Sequence, residues 1–435
     1  MMDREERNLR RSPFVIHDRT LNEYLQGIAC RLAGEHCPDV RVHVVNTPLF
    51  NANMAPNGMM QVWSGLLLRM ENEAQVAAVI GHEIGHVTAK HTVAALSKQQ
   101  ITQIGLVGAS ILSPQVAKYG DVLGASAGLL FLKFGRDDEL QADALGFKYS
   151  LAVGYDVRES PKVFNTLGRL SAASGARIPE WQSTHPDPGN RVQRAEQRLA
   201  TVPTADLAAT KVNREAYLRL LDGMVFGENP RLGYFRGGRF LHPDLRFELT
   251  FPAGWKTANM PDVVVAQSAD GGAQLQLGPG KGTPTEALQQ FLGQQGINVR
   301  QRGQTTINGI AAVMASFDAT TEQGGLSGTA ASLQHQGVTY LIVGLSATQV
   351  WAQHGPPMET AIRSFKALTD PSLLNVQPAK VQLVTLTEVM TGQTFAQRYP
   401  SSIAAEQVYI INGIEAATSL PRGMVVKRVV GGLPN

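Results

Sequence analysis

The sequence predicts an α+β fold in three parts, because helical periodicity dominates its first half and short alternating runs follow after about residue 225. Residues 1–225 should form a mainly helical domain with a small sheet. Residues 226–370, where Gly and Pro separate runs such as "LRFELTFPAGW", should form an α/β domain with a helix near 284–296. Residues 371–435 should be a linker and a small C-terminal module. A chain of 435 residues is too long for one hydrophobic core, which agrees with several domains.

Periodicity also places the individual elements of the first domain. Apolar residues recur at helical spacing over 14–36, "VRVHVV" (40–45) alternates as a strand does, and "MMQVW" (59–63) follows a Pro-Asn-Gly turn. A helix should begin after Asn72, which makes a capping-box-like pair with Gln75, and continue through "EAQVAAVIGHEIGHVTAKH". Further helical patterns cover residues 137–153, 159–173 and 190–200.

Charge and hydropathy exclude some classes of protein. Lys and Arg (39) nearly balance Asp and Glu (36), which argues against nucleic acid as a partner. The N-terminal "MMDREERNLRRSPF" is charged and has no apolar centre, so no signal peptide is expected in this numbering. Charged residues and a proline interrupt the most apolar stretch, 101–134, so we expect no transmembrane segment. That stretch could still form an apolar hairpin that covers a cleft or touches a membrane surface.

The sequence contains two cysteines, Cys30 and Cys37, which are seven residues apart. They could close a short loop between the end of a helix and the following strand, as a disulfide does in an oxidising compartment. The alternative is a pair of buried free thiols.

The segment "GHEIGHVTAKH" (81–91) has the spacing of a metal site. His82 and His86 lie one helical turn apart, so their imidazoles can converge on one ion at the short Zn–N distance of about 2.0–2.1 Å. Glu83 then lies beside the remaining, water-filled position, where a carboxylate can act as general base. The alternative is a chance match on an ordinary helix, so a third ligand is the test.

Two glycines interrupt the same helix. Gly81 and Gly85 each cost about 1 kcal/mol relative to alanine in a helix interior. We therefore expect another element to pack closely against them.

A third histidine ligand is not expected. The zincin pattern H-x-x-G-x-x-H would need Gly at 89 and His at 92, where this chain has Ala89 and Thr92. His91 follows His86 by five residues, which places it half a turn away on a continuous helix. We expect His91 to cap the helix or face solvent.

A carboxylate is the better candidate for the third ligand. In "RDDELQADALGF" (136–147), Glu139 and Asp143 share one helix face at i and i+4. One carboxylate can bind zinc, and the other can accept the free N–H of a ligand histidine. Asp137 or Asp138 should cap the helix start. The alternative is a pair of solvated acids.

These motifs together resemble a known family. HEIGH followed about fifty residues later by E-x-x-A-D closely resembles the gluzincin metallopeptidases, which include the CaaX prenyl proteases, the heat-shock membrane protease HtpX and soluble periplasmic relatives. The resemblance covers roughly residues 14–200. It includes "NANMAPNGMMQVWSGLL" (51–67), similar to the family's edge strand, and "STHPDPGNR" (183–191), similar to its S-T-H-P segment. The cysteine pair resembles the periplasmic branch.

The resemblance implies a zincin-type metalloprotease domain that binds one zinc ion per chain. His82, His86 and Glu139 would be the zinc ligands and Glu83 the general base. Asp143 would lie behind the ligands and orient one of them.

Further site residues enter only through the resemblance. Arg136 precedes Glu139 as in the family's R-x-x-E pattern and would support the ligands from behind. His185 and Arg191 would reach the cleft as catalytic residues, where they could stabilise the oxyanion or plug the open zinc position. The alternatives are a turn residue for His185 and a surface salt bridge for Arg191.

The edge strand should bind substrate. By the resemblance, Asn53, Met54 and Ala55 would pair with an extended polypeptide through its backbone. The function implied is a zinc metalloendopeptidase of the bacterial periplasm or a secreted enzyme, which acts on unfolded or misassembled polypeptides in envelope quality control. The alternative is a zinc-stabilised chaperone-like or peptidoglycan-binding scaffold with a site plugged by histidine.

Two weaker resemblances cover the rest of the chain. Residues 235–368 resemble the PsbP/Mog1-like α/β/α sandwich through "LTFPAGW" and "AIRSFKAL", which implies an interaction or shielding domain. Residues 380–431 resemble a divergent LysM module through "TGQTFAQRY", "IING" and "LPRGMVVK", which implies peptidoglycan as a partner. Gln393 stands where that family has Asp, and the alternative is a structural cap.

Overall fold

The computed structural model describes residues 2–95, 134–173, 185, 191–259, 263–321 and 324–433. The described residues divide into two compact units: residues 2–95, 134–173, 185, 191–228 and 378–433 form the first, and residues 229–259, 263–321 and 324–377 form the second. Both contain helices and strands, which agrees with the predicted α+β class. Within the described ranges, no helix is both long and apolar enough to cross a bilayer. The apolar hairpin considered for residues 101–134 lies outside the described residues except for Phe134.

The elements are numbered in chain order. The helices are α1 Met2–Arg11, α2 Arg19–Ala33, α3 Ser64–Leu67, α4 Glu73–Thr88, α5 Arg136–Ala152, α6 Ser160–Ala173, α7 Arg191–Leu199, α8 Thr204–Ala208, α9 Arg214–Leu221, α10 Pro284–Leu292, α11 Trp351–Arg363, α12 Pro371–Leu374, α13 Gly392–Arg398 and α14 Ala405–Asn412. The strands are β1 Arg41–Val45, β2 Ala52–Met54, β3 Met59–Trp63, β4 Tyr234–Arg236, β5 Arg239–His242, β6 Phe247–Thr250, β7 Lys256–Asn259, β8 Val264–Gln267, β9 Ala273–Pro279, β10 Ile297–Ile307, β11 Ile310–Thr321, β12 Gly324–His335, β13 Val338–Ala347, β14 Lys366–Ala367, β15 Ala379–Thr385, β16 Met390–Thr391, β17 Ser419–Leu420 and β18 Val425–Gly431.

A small sheet and the helix α4 organise the first unit. The strand order is β1-β3-β2, with β1 parallel and β2 antiparallel to β3, so β2 lies at an edge. Apolar side chains of α2 and α4 fill the core beside this sheet. The same core contains Val381, Ile411 and Val429 from the C-terminal segment, defined here as residues 378–433. Their burial is why this segment belongs to the first unit.

Helix α4 begins as predicted and ends earlier than predicted. Asn72 caps it by accepting a hydrogen bond from the backbone N–H of Gln75 at 3.0 Å. The expectation of a helix running through His91 is wrong, because α4 ends at Thr88 and Lys90 adopts a left-handed backbone with φ of 62°. Residues 91–95 are helical again. Because of this break, His91 lies next to His86 of α4.

The region before the sheet also differs in detail from the prediction. Asp18 caps α2 by accepting from the N–H of Leu21 at 2.8 Å, so the helix predicted over 14–36 begins later. A disulfide joins Cys30 and Cys37 and closes the turn after α2. This excludes the alternative of two free thiols.

The second unit contains a seven-stranded sheet in the order β10-β11-β12-β13-β9-β8-β7 and a four-stranded sheet in the order β14-β6-β5-β4. Successive side chains of a strand point to opposite faces of the sheet, so the two faces of the large sheet pack into two different cores. Leu288 of α10 packs in one core with Phe317, and Ile362 of α11 packs in the other with Leu333. The PsbP/Mog1-like architecture and the domain boundaries at 225 and 370 stay predictions.

Candidate metal centre

Glycines bring α4 and α5 into close contact. A methyl group on Gly81 would lie 3.1 Å from the backbone oxygen of Gly146, and one on Gly85 would lie 3.1 Å from that of Ala142. In the other direction, a methyl group on Gly146 would lie 2.7 Å from the backbone nitrogen of His82. The close packing expected at Gly81 and Gly85 is therefore confirmed.

This contact places the predicted ligands together. The Nε2 atoms of His82 and His86 lie 3.0 Å apart. One carboxylate oxygen of Glu139 lies 3.5 Å from His82 Nε2, and the other lies 3.4 Å from His86 Nε2. All three residues are buried, and Glu139 is fully so.

His185 completes the cluster. Its Nδ1 lies 2.9 Å from a carboxylate oxygen of Glu139 and 3.4 Å from His82 Nε2. Its Nε2 lies 3.6 Å from a carboxylate oxygen of Glu83. Potential ligand atoms of His82, His86, Glu139 and His185 all lie within 4.8 Å of one another. Of the S-T-H-P segment, His185 and Arg191 are described and the residues between them and before them lie outside the described ranges.

Two buried oxygens test whether a cation fits this cluster. Glu83 Oε1 and Glu139 Oε2 are buried and have no hydrogen-bond partner among the described residues. A buried carboxylate oxygen without a partner is costly, and a cation between the imidazoles and the carboxylate would offset that cost. Nitrogen and oxygen donors of this kind suit zinc. The residues therefore fit a divalent metal ion, while the identity of the metal stays a prediction.

Asp143 and Arg191 lie directly behind the cluster. Asp143 accepts a hydrogen bond from His82 Nδ1 at 2.9 Å, so the Nε2 of His82 faces the cluster. Arg191 donates hydrogen bonds to both carboxylate oxygens of Asp143, at 2.9 Å from Nε and at 2.5 Å from Nη2. Its guanidinium also lies over the ring of Phe164, 4.4 Å from the ring centre. The structure thus places Arg191 in a buried ion pair, whereas the alternative considered was a surface one. A direct catalytic role for Arg191 stays a prediction.

Comparison with known proteins bears on the same residues. The sequence pattern of Peptidase family M48 matches residues 16–199. That segment is a Peptidase family M48 domain. The match confirms the gluzincin resemblance and supports assignment of the domain to the metalloprotease hydrolases. The M48 domain contains the whole cluster of potential ligands.

Two curated proteins, both named as proteases, align with part of the chain. The chain is 37% identical over 146 residues to mitochondrial metalloendopeptidase OMA1 of Arabidopsis thaliana, which covers 33% of this chain and 28% of that protein. It is 31% identical over 212 residues to the beta-barrel assembly-enhancing protease of Escherichia coli (strain K12), covering 46% of this chain and 43% of that protein. The chain thus spans less than half the length of these relatives. These comparisons do not support peptidoglycan binding, and the likeness to LysM stays a prediction.

A solved structure of cyanobacterial PsbP from Synechocystis sp. PCC 6803 also aligns with the chain. The identity is 15%, the alignment covers 30% of this chain and 91% of that chain, and the TM-score is 0.26. A likeness of that strength assigns no fold.

Two contacts of the M48 domain were not predicted. His91 is buried, with its Nδ1 3.1 Å from His86 Nδ1, so the expectation that it caps the helix or faces solvent is wrong. The early end of α4 explains the error. Phe134 stacks on the ring of His86 with centroids 3.8 Å apart and on that of His185 at 5.2 Å. Neither contact follows from helical spacing.

The start of α5 contains the predicted cap and the predicted supporting residue Arg136. Asp138 accepts a hydrogen bond from the N–H of Gly135 at 2.9 Å and so caps α5, as one of the two predicted candidates. Arg136 is exposed at the first residue of α5. None of the described hydrogen bonds or ion pairs connects it to the cluster, and its supporting role stays a prediction.

Burial and charge set the protonation states. Burial raises the pKa of Glu83 well above its ordinary value, and the nearby charge of Glu139 adds to this effect. Burial also lowers the pKa of His86 well below its ordinary value and lowers that of His185. Burial alone would raise the pKa of Glu139, but the surrounding histidines outweigh it and lower that pKa. Neutral imidazoles beside an ionised carboxylate are the forms that bind a metal cation.

The segment predicted to bind substrate consists of strand β2 and the residue that follows it. Asn53 and Met54 lie on this edge strand, and Ala55 follows it. All three are buried, and both polar atoms of the Asn53 amide lack a hydrogen-bond partner among the described residues. Substrate binding by these residues stays a prediction.

Proposed function

We propose that this chain is a zinc-dependent metalloendopeptidase that hydrolyses peptide bonds. The observation that carries the proposal is the convergence of His82, His86 and Glu139 from two helices beside the buried carboxylate of Glu83. A zinc ion held by these three ligands would supply Lewis acidity to the scissile carbonyl and acidify water.

The protein's own groups would carry the proton. Glu83 accepts a proton from the attacking water and delivers it to the leaving amine. Asp143 keeps His82 in one tautomer, and Arg191 keeps Asp143 ionised and in place.

His185 would regulate access to the cluster. It lies among the potential ligands and contacts Glu139 at 2.9 Å, which supports a resting state with the open position plugged. The second candidate function, a zinc-stabilised scaffold with latent activity, rests on this same contact. His185→Ala separates the two: activity above wild type supports a plugged enzyme, and clients bound but never cut support a scaffold.

Substrate would bind along β2. The amide of Asn53, which has no hydrogen-bond partner within the described ranges, can hydrogen-bond a polypeptide backbone, and an edge strand can pair with an extended chain. Because Asn53, Met54 and Ala55 are buried, this strand must become accessible before substrate pairs with it.

We further propose that the substrates are unfolded or misassembled envelope polypeptides and that the chain works in the periplasm or outside the cell. Similarity to a protease named for beta-barrel assembly supports the substrate class. The disulfide between Cys30 and Cys37 supports an oxidising compartment.

The test is proteolysis of unfolded casein by metal-loaded protein, with zinc content measured in parallel. Glu83→Gln should lose cleavage by about 10²–10⁴-fold while retaining zinc, because the amide cannot accept the proton. Glu23→Gln, at an exposed glutamate of α2, is the matched control and should cleave as wild type does. Wild type that cuts no unfolded polypeptide, or a Glu83→Gln variant equal to it, contradicts the proposal.

A further inference from the structure

A cleft of about 740 Å³ in the first unit reaches the metal cluster. Its lining includes His185 and Arg191, residues of α6 such as Phe164 and Arg169, and two residues of the C-terminal segment, Gly413 and Glu415. Ligand sites commonly have volumes of about 300–1,000 Å³. A segment more than two hundred residues away in sequence therefore contributes to the space beside the cluster.

Buried and close contacts hold the C-terminal segment in this position. Lys427 donates hydrogen bonds from Nζ to the backbone oxygens of Leu68 at 3.1 Å and Met70 at 2.7 Å, immediately before α4. Gly413 lies so close to Glu71 that a methyl group on it would overlap the carboxylate. The segment is thus built into the M48 domain's core and cannot be treated as a tethered accessory.

The cations of the cleft already have carboxylate partners. Arg169 lies 3.4 Å from both Glu406 and Glu415, and Lys162 lies 2.6 Å from Glu159. Arg191 is paired with Asp143. Among the described lining residues, each of these cations is thus paired with a carboxylate and is not available to bind an anionic ligand, which favours an uncharged group such as polypeptide backbone.

We infer that Gly413 and Glu415 form a wall of the cleft that binds unfolded polypeptide next to the metal cluster. This inference rests on the proposed endopeptidase function. It gives the C-terminal segment a role in substrate binding that differs from the predicted glycan binding.

Photo-cross-linking tests the wall. Glu415 is replaced by a photoreactive amino acid in the Glu83→Gln background, which binds substrate without cutting it, and the protein is irradiated with unfolded casein. The control carries the same replacement at Glu388, an exposed residue of the same segment that does not line the cleft. Casein should cross-link at position 415 at least tenfold more than at 388. Equal labelling, or none at 415 while wild type cleaves casein, overturns the inference; wild type that cleaves no casein overturns the proposed function as well.

A second inference concerns His91 and stands on different contacts. The Nε2 of His91 lies 2.9 Å from the side-chain oxygen of Gln141 and 3.5 Å from a carboxylate oxygen of Asp138. A carboxylate only accepts hydrogen bonds, so Nε2 of His91 carries its proton. In the neutral ring, Nδ1 of His91 then has a lone pair and accepts the Nδ1–H of His86, 3.1 Å away. This leaves His86 Nε2 unprotonated and facing the cluster.

We propose that His91 is a positioning residue that fixes the tautomer of His86 for metal binding. Asp143 does the same for His82 with a carboxylate. Each histidine ligand thus has its own acceptor behind it.

Metal affinity and ligand geometry test this role without any proteolysis. Zinc dissociation constants are measured by chelator competition, and the visible spectrum of the cobalt form reports ligand geometry. His91→Leu should weaken zinc binding about 10–100-fold and alter the cobalt spectrum. His91→Asn, whose side-chain oxygen can replace Nδ1 as acceptor, should recover most of the affinity.

A structural role alone would give a different pattern. In that case His91→Leu lowers the melting temperature of the metal-free protein, while zinc affinity and the cobalt spectrum of the folded fraction stay as in wild type. That result, or a His91→Asn variant as weak as His91→Leu, overturns the proposal. Gln141→Leu, a change at an exposed position, is the second variant if His91→Leu does not fold, and it should weaken zinc binding in the same direction.

Discussion

Gly146→Ala is the change that most directly probes the packing behind the metal cluster. The new methyl group would lie 2.7 Å from the backbone nitrogen of His82, whereas ordinary contacts begin near 3.4 Å. Because that neighbour is backbone and cannot rotate away, α4 and α5 must separate by several tenths of an ångström. We expect the free energy of unfolding to fall by about 1–3 kcal/mol, the usual cost of overpacking.

The same separation should weaken metal binding. Glu139 and Asp143 lie on α5 and would move relative to His82 on α4, so zinc affinity should fall about tenfold or more. Denaturant unfolding of the metal-free protein and chelator competition measure the two effects.

Gly168→Ala is the matched control for this experiment. It lies inside α6, where the added methyl group would have no described atom within 4 Å apart from its chain neighbours and the local backbone of its own helix, and alanine favours a helix over glycine by about 1 kcal/mol. That variant should be as stable as wild type or more so, with unchanged zinc affinity. A Gly146→Ala protein that behaves like Gly168→Ala would refute the argument that α4 and α5 are packed to their limit.

Three further predictions follow from the burial of particular side chains. Arg191→Met should lower the free energy of unfolding by about 3–5 kcal/mol in denaturant titrations, since the buried carboxylate of Asp143 would lose its cationic partner and keep only the hydrogen bond from His82; a loss under about 1 kcal/mol would contradict this. Ile411→Ala should cost about 2–5 kcal/mol and unfold the whole first unit in one transition, and a separate transition for the C-terminal segment would show independent folding. Burial lowers the pKa of Lys427 to about 7, so between pH 7 and 10 this lysine is neutral in the folded protein and protonated in the unfolded chain. The free energy of unfolding should therefore rise as the pH is raised from 7 towards 10. Calorimetry of Lys427→Met should show this rise lost, and an unchanged pH profile would exclude Lys427 as its source.

The elements that sequence predicts well are those fixed by local pattern. The cap of α4 at Asn72, the i, i+4 pair of Glu139 and Asp143, and the glycine pair on α4 depend on neighbours within one or two helical turns. Each is found in the structure as expected. His185 and Arg191 are expected through resemblance alone, because no spacing rule connects either residue to a helix about fifty to a hundred positions away.

The errors arise where one local assumption fails or where distant segments meet. The expectation that His91 faces away from His86 assumes a continuous helix, and the left-handed backbone at Lys90 interrupts that helix. Phe134 contacts His86 and stands at the end of an apolar run in the sequence. The periodicity of that run does not predict which residues it contacts. Val429 lies in the first core although it is near the other end of the chain, because burial of apolar surface has no preferred sequence separation.

The central claim is that His82, His86 and Glu139 hold one divalent ion, and anomalous diffraction at the zinc edge from zinc-loaded crystals tests it most directly. One strong peak is expected about 2.0–2.2 Å from the Nε2 atoms of both histidines and from a carboxylate oxygen of Glu139. A structure of the zinc-loaded protein without a peak between these three side chains would contradict it.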